Sequence, residues 1–291
     1  MREITCANQD GLSITFGDRP SPFLLENCDG VYTVQNTVST SENTLLDGDT
    51  YLGSRMQRRN IVLTLRDNVG ADHRLNRQAL YDLFKKGSRG TLTYTEDGIS
   101  RTIGYYVESV VVSGTERARQ ATVSLLCPDP LFYAERDMVV RMANYTAQFE
   151  FQHEFLDGGE ELGVRNEDRL QTIENSGAAD GIGMTITITA SGPVTNPSIT
   201  HVEKAETIQI GTMDYPFEMI LGDIVRITTG TGNKHVYRMR DGIQTEINEY
   251  LSEESVFIQL SSGINTIGYA ADSGADNMEI EIVYRYQYVG V

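Results

Sequence analysis

One stretch constrains the fold of this 291-residue chain more than any other. His73 to Lys86, HRLNRQALYDLFKK, is the single segment with convincing helical spacing. Leu75, Ala79, Leu80, Leu83 and Phe84 recur at that spacing and form one apolar stripe. Asp72 stands where the first backbone N–H groups need an acceptor. Lys85 and Lys86 stand where the last carbonyls are free, and Gly87 suits the left-handed turn that ends a helix. Before the stretch, RRNIVLTLRD alternates Ile61, Leu63 and Leu65 with polar residues and predicts a strand with one buried face. After it, GTLTYTEDGISRTIGYYVESVVV predicts a hairpin that turns at Asp97-Gly98. A lone amphipathic helix must cover something, and these strands are the nearest apolar surface. Residues 1–135 therefore read as one β-rich domain with a single covering helix.

The rest of the chain has strand periodicity. Near the start, Asp10-Gly11 marks a hairpin, and two short strands flank Asp29-Gly30. SENTLLDGDTYLGS, residues 41–54, reads as a long polar loop whose Leu45-Leu46 pair either folds back on its own domain or docks on a neighbouring molecule. Pro128 and Pro130 close the first domain, residues 136–145 read as a connecting strand or linker, and residues 146–291 read as a second, all-β domain. Phe149, Phe151 and Phe155 open that domain, and MEIEIVYRYQYVGV is its cleanest strand. There Ile280, Ile282, Tyr284, Tyr286 and Tyr288 are predicted to share one face. Short strands at even intervals with Gly, Asn and Asp turns indicate a sandwich or jelly roll.

Composition narrows the function. A net charge of −17 repels nucleic acid phosphate, so specific DNA or RNA binding is not expected. Arg55, Arg58 and Arg59 are the nearest approach to a basic patch and read as solvated or interface arginines. No run approaches the ~20 apolar residues of a membrane span, so membrane insertion is not expected. Cys6, Cys28 and Cys127 are an odd, widely spaced set and read as buried thiols of a protein made in a reducing compartment.

Motifs for chemistry are weak. TTGTGNKH, residues 228–235, lacks the Ser or Thr after Lys234 and the following helix of a phosphate-binding loop. His73, His153, His201 and His235 have no second ligand at metal spacing. Glu160-Glu161 and Glu253-Glu254 read as solvated charge rather than a facing carboxylate pair, and no GxSxG elbow occurs. No catalytic, cofactor or metal residue is assigned. Tyr284, Tyr286 and Tyr288 are either a layer inside the fold or a platform for sugar stacking.

The ordered set YLGSRMQRRNIVLTL, LFKKGSRGTLTY, SLLCPDPLFY, IENSGAADGIGMTITITASGPVTNPSIT, GDIVRITTGTGNKHV, SSGINTIGYAA and YRYQYVGV resembles the distal tail protein family of siphophages. The resemblance implies a mainly β protein. An N-terminal β-sandwich or split-barrel, tail-tube-like ring domain with one covering helix would precede a C-terminal galectin-like or carbohydrate-binding-module-like jelly-roll β-sandwich. It further implies a structural virion protein without catalysis, synthesised in the host cytoplasm and placed at the phage tail tip. Its copies would form a homohexameric ring joining the tail tube protein to the tail-associated lysin or tail-tip protein and to receptor-binding or baseplate proteins, with a central channel for DNA. The alternative is a carbohydrate-binding module that recognises host cell-wall glycans through the C-terminal sandwich. On the ring reading, Leu45, Leu46, Tyr51, Arg55, Arg58 and Arg59 are expected at the subunit interface. Glu42, Asp47, Asp49, Glu96 and Asp97 are expected to face the channel, where negative charge keeps phosphates from sticking.

Overall fold

The computed structural model describes residues 2–17, 23–43, 47–67, 72–115, 118–142, 145–147, 163–165, 169–177 and 179–291. The chain divides into two compact units, residues 1–135 with 287–291, and residues 136–286.

In the first unit the strands are β1 (Arg2–Asn8), β2 (Ser13–Gly17), β3 (Phe23–Asp29), β4 (Asn36–Glu42), β5 (Asp49–Met56) and β6 (Arg59–Asp67). After them come helix α1 (His73–Leu83), β7 (Arg89–Glu96), β8 (Ile99–Thr115), β9 (Ala118–Cys127) and β10 (Phe132–Ala134). Neighbours run β7-β1-β2-β3-β6-β9, and β8 pairs with both β7 and β9, so the sheet closes on itself as a barrel. Closure rests on the length of β8. Its first half, Ile99–Tyr106, lies against β7, and the stretch from Tyr106 to Thr115 lies against β9, with a bulge between Val107 and Ser109. A closed sheet of this kind leaves those strands no free edge.

Period-2 alternation fills the barrel. Ile4 and Cys6 of β1, Ile61, Leu63 and Leu65 of β6, and Val123 and Leu125 of β9 are all buried. The β7–β8 hairpin turns at Asp97 (φ 50°) and Gly98 (φ 84°), the two positive-φ residues that a tight hairpin needs. Helix α1 begins as its sequence predicts, with the Asp72 carboxylate accepting from the N–H groups of Arg74 and Leu75. Its buried stripe is narrower than the spacing implied: Leu80, Leu83 and Phe84 are buried, whereas Leu75 is 66% exposed and Ala79 faces solvent. The apolar contact with the barrel is made by the C-terminal part of the helix, while His73 and Asn76 of its first turn reach Asp67 at the end of β6 through polar contacts. Phe84 stacks on Phe16 at 6.3 Å and packs against Tyr105 at 6.1 Å, and the Asn8 amide donates to the carbonyls of Leu83 and Asp82.

The second unit comprises β11 (Met138–Met142), β12 (Tyr145–Ala147), β13 (Gly163–Arg165), β14 (Leu170–Asn175), β15 (Met184–Ala190), β16 (Val194–His201) and β17 (Glu206–Gln209). β18 (Glu218–Met219), β19 (Ile224–Gly230), β20 (Asn233–Arg240), β21 (Ile243–Glu246), β22 (Gly263–Ser273) and β23 (Met278–Tyr284) complete it. One sheet runs β11-β23-β15-β19-β20-β21 and the other β14-β22-β16-β17, with β18 on β16; β12 and β13 pair with each other. All pairings are antiparallel. Ile186, Ile188, Ile280 and Ile282 from one sheet and Ile199, Ile208 and Ile267 from the other are buried in a single core cluster, as in a β-sandwich.

Two details differ from the sequence reading. Met138–Met142, expected within a connecting strand or linker, is a strand, and it joins the second unit by pairing with β23 rather than standing between the domains. Gln287–Tyr288, expected to continue the last strand of the second domain, instead pairs with β10 in the first unit. Phe149, Phe151, Phe155, His153 and Glu160-Glu161 lie outside the described residues.

Candidate assembly surface

The first unit carries one element that its own core does not support. β4 and β5 form a separate two-stranded ribbon, with register from Asn36↔Met56 to Glu42↔Asp49. Nearly every residue in it is exposed, including Val38 at 57%, Tyr51 at 63% and Leu52 at 65%. An isolated two-stranded hairpin is at best marginally stable in water, because neither face is buried. Exposed apolar side chains on such a ribbon call for a surface outside it.

Its base, by contrast, is held firmly. Arg59, at the start of β6, is 5% exposed, and burial lowers the pKa of its guanidinium below the ordinary arginine value. The guanidinium donates to five backbone carbonyls: Gly30 at 2.6 Å, Val31 at 3.1 Å, Thr33 at 2.9 Å, Pro130 at 2.9 Å and Val289 at 2.5 Å. It also lies 4.9 Å from the Phe132 ring centroid. One side chain thus gathers the segment that leads into the ribbon, the turn before β10 and the C-terminal segment. Gly30 is required here: its φ is +90°, and a Cβ would sit 2.0 Å from the Asn60 carbonyl oxygen. The Gln57 N–H donates to the Gln35 carbonyl, and its side-chain amide to the Thr37 hydroxyl, across the ribbon base.

The expected interface residues therefore separate. Tyr51, Arg55 and Arg58 are exposed on or beside the ribbon. Arg59 does not read as a solvated or interface arginine, because its donors are spent inside the unit. Leu45 and Leu46 lie outside the described residues. Segment 41–54, read as a loop, belongs mostly to β4 and β5; with both faces polar or exposed it lacked the apolar alternation that marks a half-buried strand. Val38 and Leu52 were missed for that reason.

The acidic residues fall in two places. Glu42, Asp47 and Asp49 crowd the far end of the ribbon, all exposed, with Glu42 directly opposite Asp49. Glu96 and Asp97 lie at the β7–β8 turn, where the Tyr94 and Tyr32 hydroxyls donate to Glu96 at 3.2 and 3.4 Å. Like charges directly opposite on a ribbon repel each other, so the arm end carries an electrostatic cost as it stands.

The tyrosine platform does not form. Tyr284 is 5% exposed and packs edge-on against Tyr286 at 5.5 Å. Tyr288 belongs to the first unit, where Arg101 lies 3.9 Å over its ring. Tyr284 and Tyr286 belong to the second unit, so the three rings are divided between the two units. Residues 228–235 form the end of β19, a turn and the start of β20, with Gly230↔Asn233 as the last pair. Among the described residues no group of three His, Cys, Asp or Glu is placed to hold a metal ion. No described helix is long and apolar enough to cross a membrane.

The described chain thus presents a closed β-barrel with one packed helix and an exposed ribbon, and a two-sheet sandwich. Residues 9–127, within the first unit, match the phage tail protein RIFT-related domain. Over its whole length the chain shares the fold of the Dit protein of phage SPP1, described as a paradigm of the hub adsorption apparatus in phages infecting Gram-positive bacteria. The TM-score is 0.68 at 14% identity, covering 98% of both chains. The same fold recurs in the baseplate of phage p2 in its activated conformation, with calcium (TM-score 0.53, 10% identity) and with strontium (TM-score 0.52, 10% identity), each covering 100% of both chains. No curated protein matches the chain by sequence.

Proposed function

We propose that this chain is a structural component of the distal phage tail, and that identical copies close into a hexameric ring through the first unit. The ring joins the tail tube to tail-tip, baseplate and receptor-binding proteins, with a central channel through which DNA passes. The observation that carries this reading is the β4–β5 arm, an exposed ribbon with Val38, Tyr51 and Leu52 on a unit that matches a phage tail domain. A cyclic ring is built from two different complementary patches on each subunit, and a projecting arm is a natural first patch. Tyr51, Arg55 and Arg58 are assigned to that contact, as are Leu45 and Leu46 on the sequence alone. Of the acids expected at the channel, Glu96 and Asp97 are assigned to its wall, where their charge discourages phosphate binding, whereas Glu42, Asp47 and Asp49 go with the arm that carries them. Arg59 supports the arm from within rather than touching a neighbour.

The second unit serves on this reading as an attachment module for other tail or baseplate proteins. The glycan-binding alternative loses its platform with the burial of Tyr284 and the departure of Tyr288 to the first unit.

Mass photometry and negative-stain microscopy of the purified chain test the ring directly. A six-subunit species with a central hole is expected. Changing Tyr51 and Leu52 together to Asp is expected to convert it to monomers while leaving the circular dichroism spectrum intact. A chain that stays monomeric at tens of micromolar refutes the reading.

A further inference from the structure

The first unit has a cavity of about 360 Å³ at the end of the barrel away from the arm base. Phe23 at the start of β3, Leu80 of α1, Val112 of β8 and Ala121 of β9 line it with apolar groups. Arg77 and Arg119 line it with positive charge. Its carboxylate, Asp67, is already engaged, accepting from His73 Nδ1 at 2.5 Å and from the Asn76 amide at 2.7 Å. Neither Arg77 nor Arg119 has an ion-pair partner among the described residues, whereas Arg66 on the neighbouring strand is paired with Glu26.

The position of the cavity relative to the arm matters as much as its chemistry. β6 begins at Arg59, beside the arm base, and ends at Asp67, in the cavity wall. At about 3.3 Å per residue, its length separates the two by roughly 26 Å. The unit thus has a projecting element at one end of a strand and a receptive hollow at the other. This head-to-tail arrangement allows identical subunits to join in a closed series. Charge matches as well. The arm end concentrates Glu42, Asp47 and Asp49, with two of these carboxylates facing each other across the ribbon. In a chain of net charge −17, a hollow lined by two guanidinium groups and a single carboxylate is, among the described residues, a local inversion of sign.

We propose that the cavity lined by Arg77 and Arg119 receives the acidic end of the β4–β5 arm of a second copy of this chain. The inference rests on the ring reading and adds the missing half of its contact. Carboxylates of Glu42, Asp47 or Asp49 sit against the two guanidinium groups, relieving repulsion between Glu42 and Asp49. The apolar lining excludes water around the pair, which strengthens it.

Charge exchange tests this with the full-length chain. R77E with R119E, both surface-accessible, and separately E42K with D47K and D49K, should each weaken assembly by about tenfold or more in dilution mass photometry, with circular dichroism unchanged. The variant carrying both sets should regain the oligomer. Wild-type assembly should weaken as salt is raised from 0.05 to about 0.5 M, where screening shortens the reach of surface charge. If the wild type assembles and R77E with R119E assembles equally well, the cavity is not the receptor and the ring reading stands alone. If both single sets dissociate but the combined variant does not recover, the arm and cavity do not meet, and the arginines serve another ligand such as a free anion. A monomeric wild type instead overturns the ring reading.

Discussion

Replacing Arg59 with methionine keeps most of the side chain's volume and removes every donor. The carbonyls of Gly30, Val31, Thr33, Pro130 and Val289 lose a charged partner together. The contact with Val31 is fully buried, and an orphaned buried acceptor costs about 1–3 kcal/mol. The other four are partly buried and regain water, so about 0.5 kcal/mol each is a fair loss. Losing the cation over Phe132 adds about 0.5–1 kcal/mol. The expected destabilisation of the first unit is therefore about 3.5–6 kcal/mol, in the upper tail of single-substitution effects where a broken buried polar network falls. For a unit of this size that corresponds to a fall of about 10–18 °C in its melting temperature, read by differential scanning calorimetry. Arg59→Lys keeps the charge but presents three donors from a point rather than a planar fork, and should fall between the two. Hydrogen exchange provides a second measurement: amides around 30–35 and in the C-terminal segment should lose protection together, since one side chain holds both. A methionine variant that melts within about 3 °C of wild type, or a lysine variant as stable as arginine, would refute the clamp.

Further outcomes follow from other sites. In the second unit, burial pushes the Asp223 carboxyl up, but hydrogen bonds from Arg240 and the Ile220 N–H and the charges of Arg240 and Arg238 outweigh it and hold the pKa below the ordinary range. A depressed folded pKa gives stability that is present above the unfolded value and lost as pH falls through the folded one. Asp223→Asn should thus cost about 2–3 kcal/mol at pH 7, because Arg240 is a third exposed and partly screened, and should flatten the acid side of the second unit's stability profile. An unchanged acid limb would show that this pair does not control it. Burial raises Cys6 well above its ordinary pKa, and chiefly burial pushes Cys28 and Cys127 up to about 12, so all three should resist a thiol reagent in the native protein and react in denaturant. Rapid native labelling of any of them would place that thiol at the surface. Gly30→Ala should destabilise the first unit by more than the ordinary glycine-to-alanine effect, since a left-handed φ and a backbone clash coincide; a neutral result in thermal melts would contradict the packing.

Sequence legibility followed the physics of burial. Ile61, Leu63 and Leu65 revealed their strand because one face is wet and the other dry, and the same held for Ile280, Ile282 and Tyr284. Local chemistry was equally readable: the Asp72 cap and the Asp97-Gly98 turn depend on residues a few positions apart. Barrel closure was not readable, because it depends on one strand being long enough to serve two neighbours through a bulge. The arm was hidden by its own exposure, which removes the alternation a strand usually displays. Arg59 looked like its neighbours Arg55 and Arg58 because its partners are carbonyls from segments as far away as Val289, and a carbonyl has no signature in the sequence. Arg77 and Arg119, 42 positions apart, gave no motif, and only the return of β9 beside α1 brings them into one hollow.

The route of the chain has a consequence for biogenesis. The first unit is interrupted after residue 135 and resumes only at 287, where Gln287–Tyr288 zips onto β10 and Val289 reaches the Arg59 clamp. A nascent polypeptide leaving the ribosome cannot finish its earliest half until the whole intervening sandwich has emerged. The barrel strands can close on their own, but this staple forms only once the sandwich has been made, so chains cut short within the sandwich leave β10 and the Arg59 clamp without their C-terminal partner.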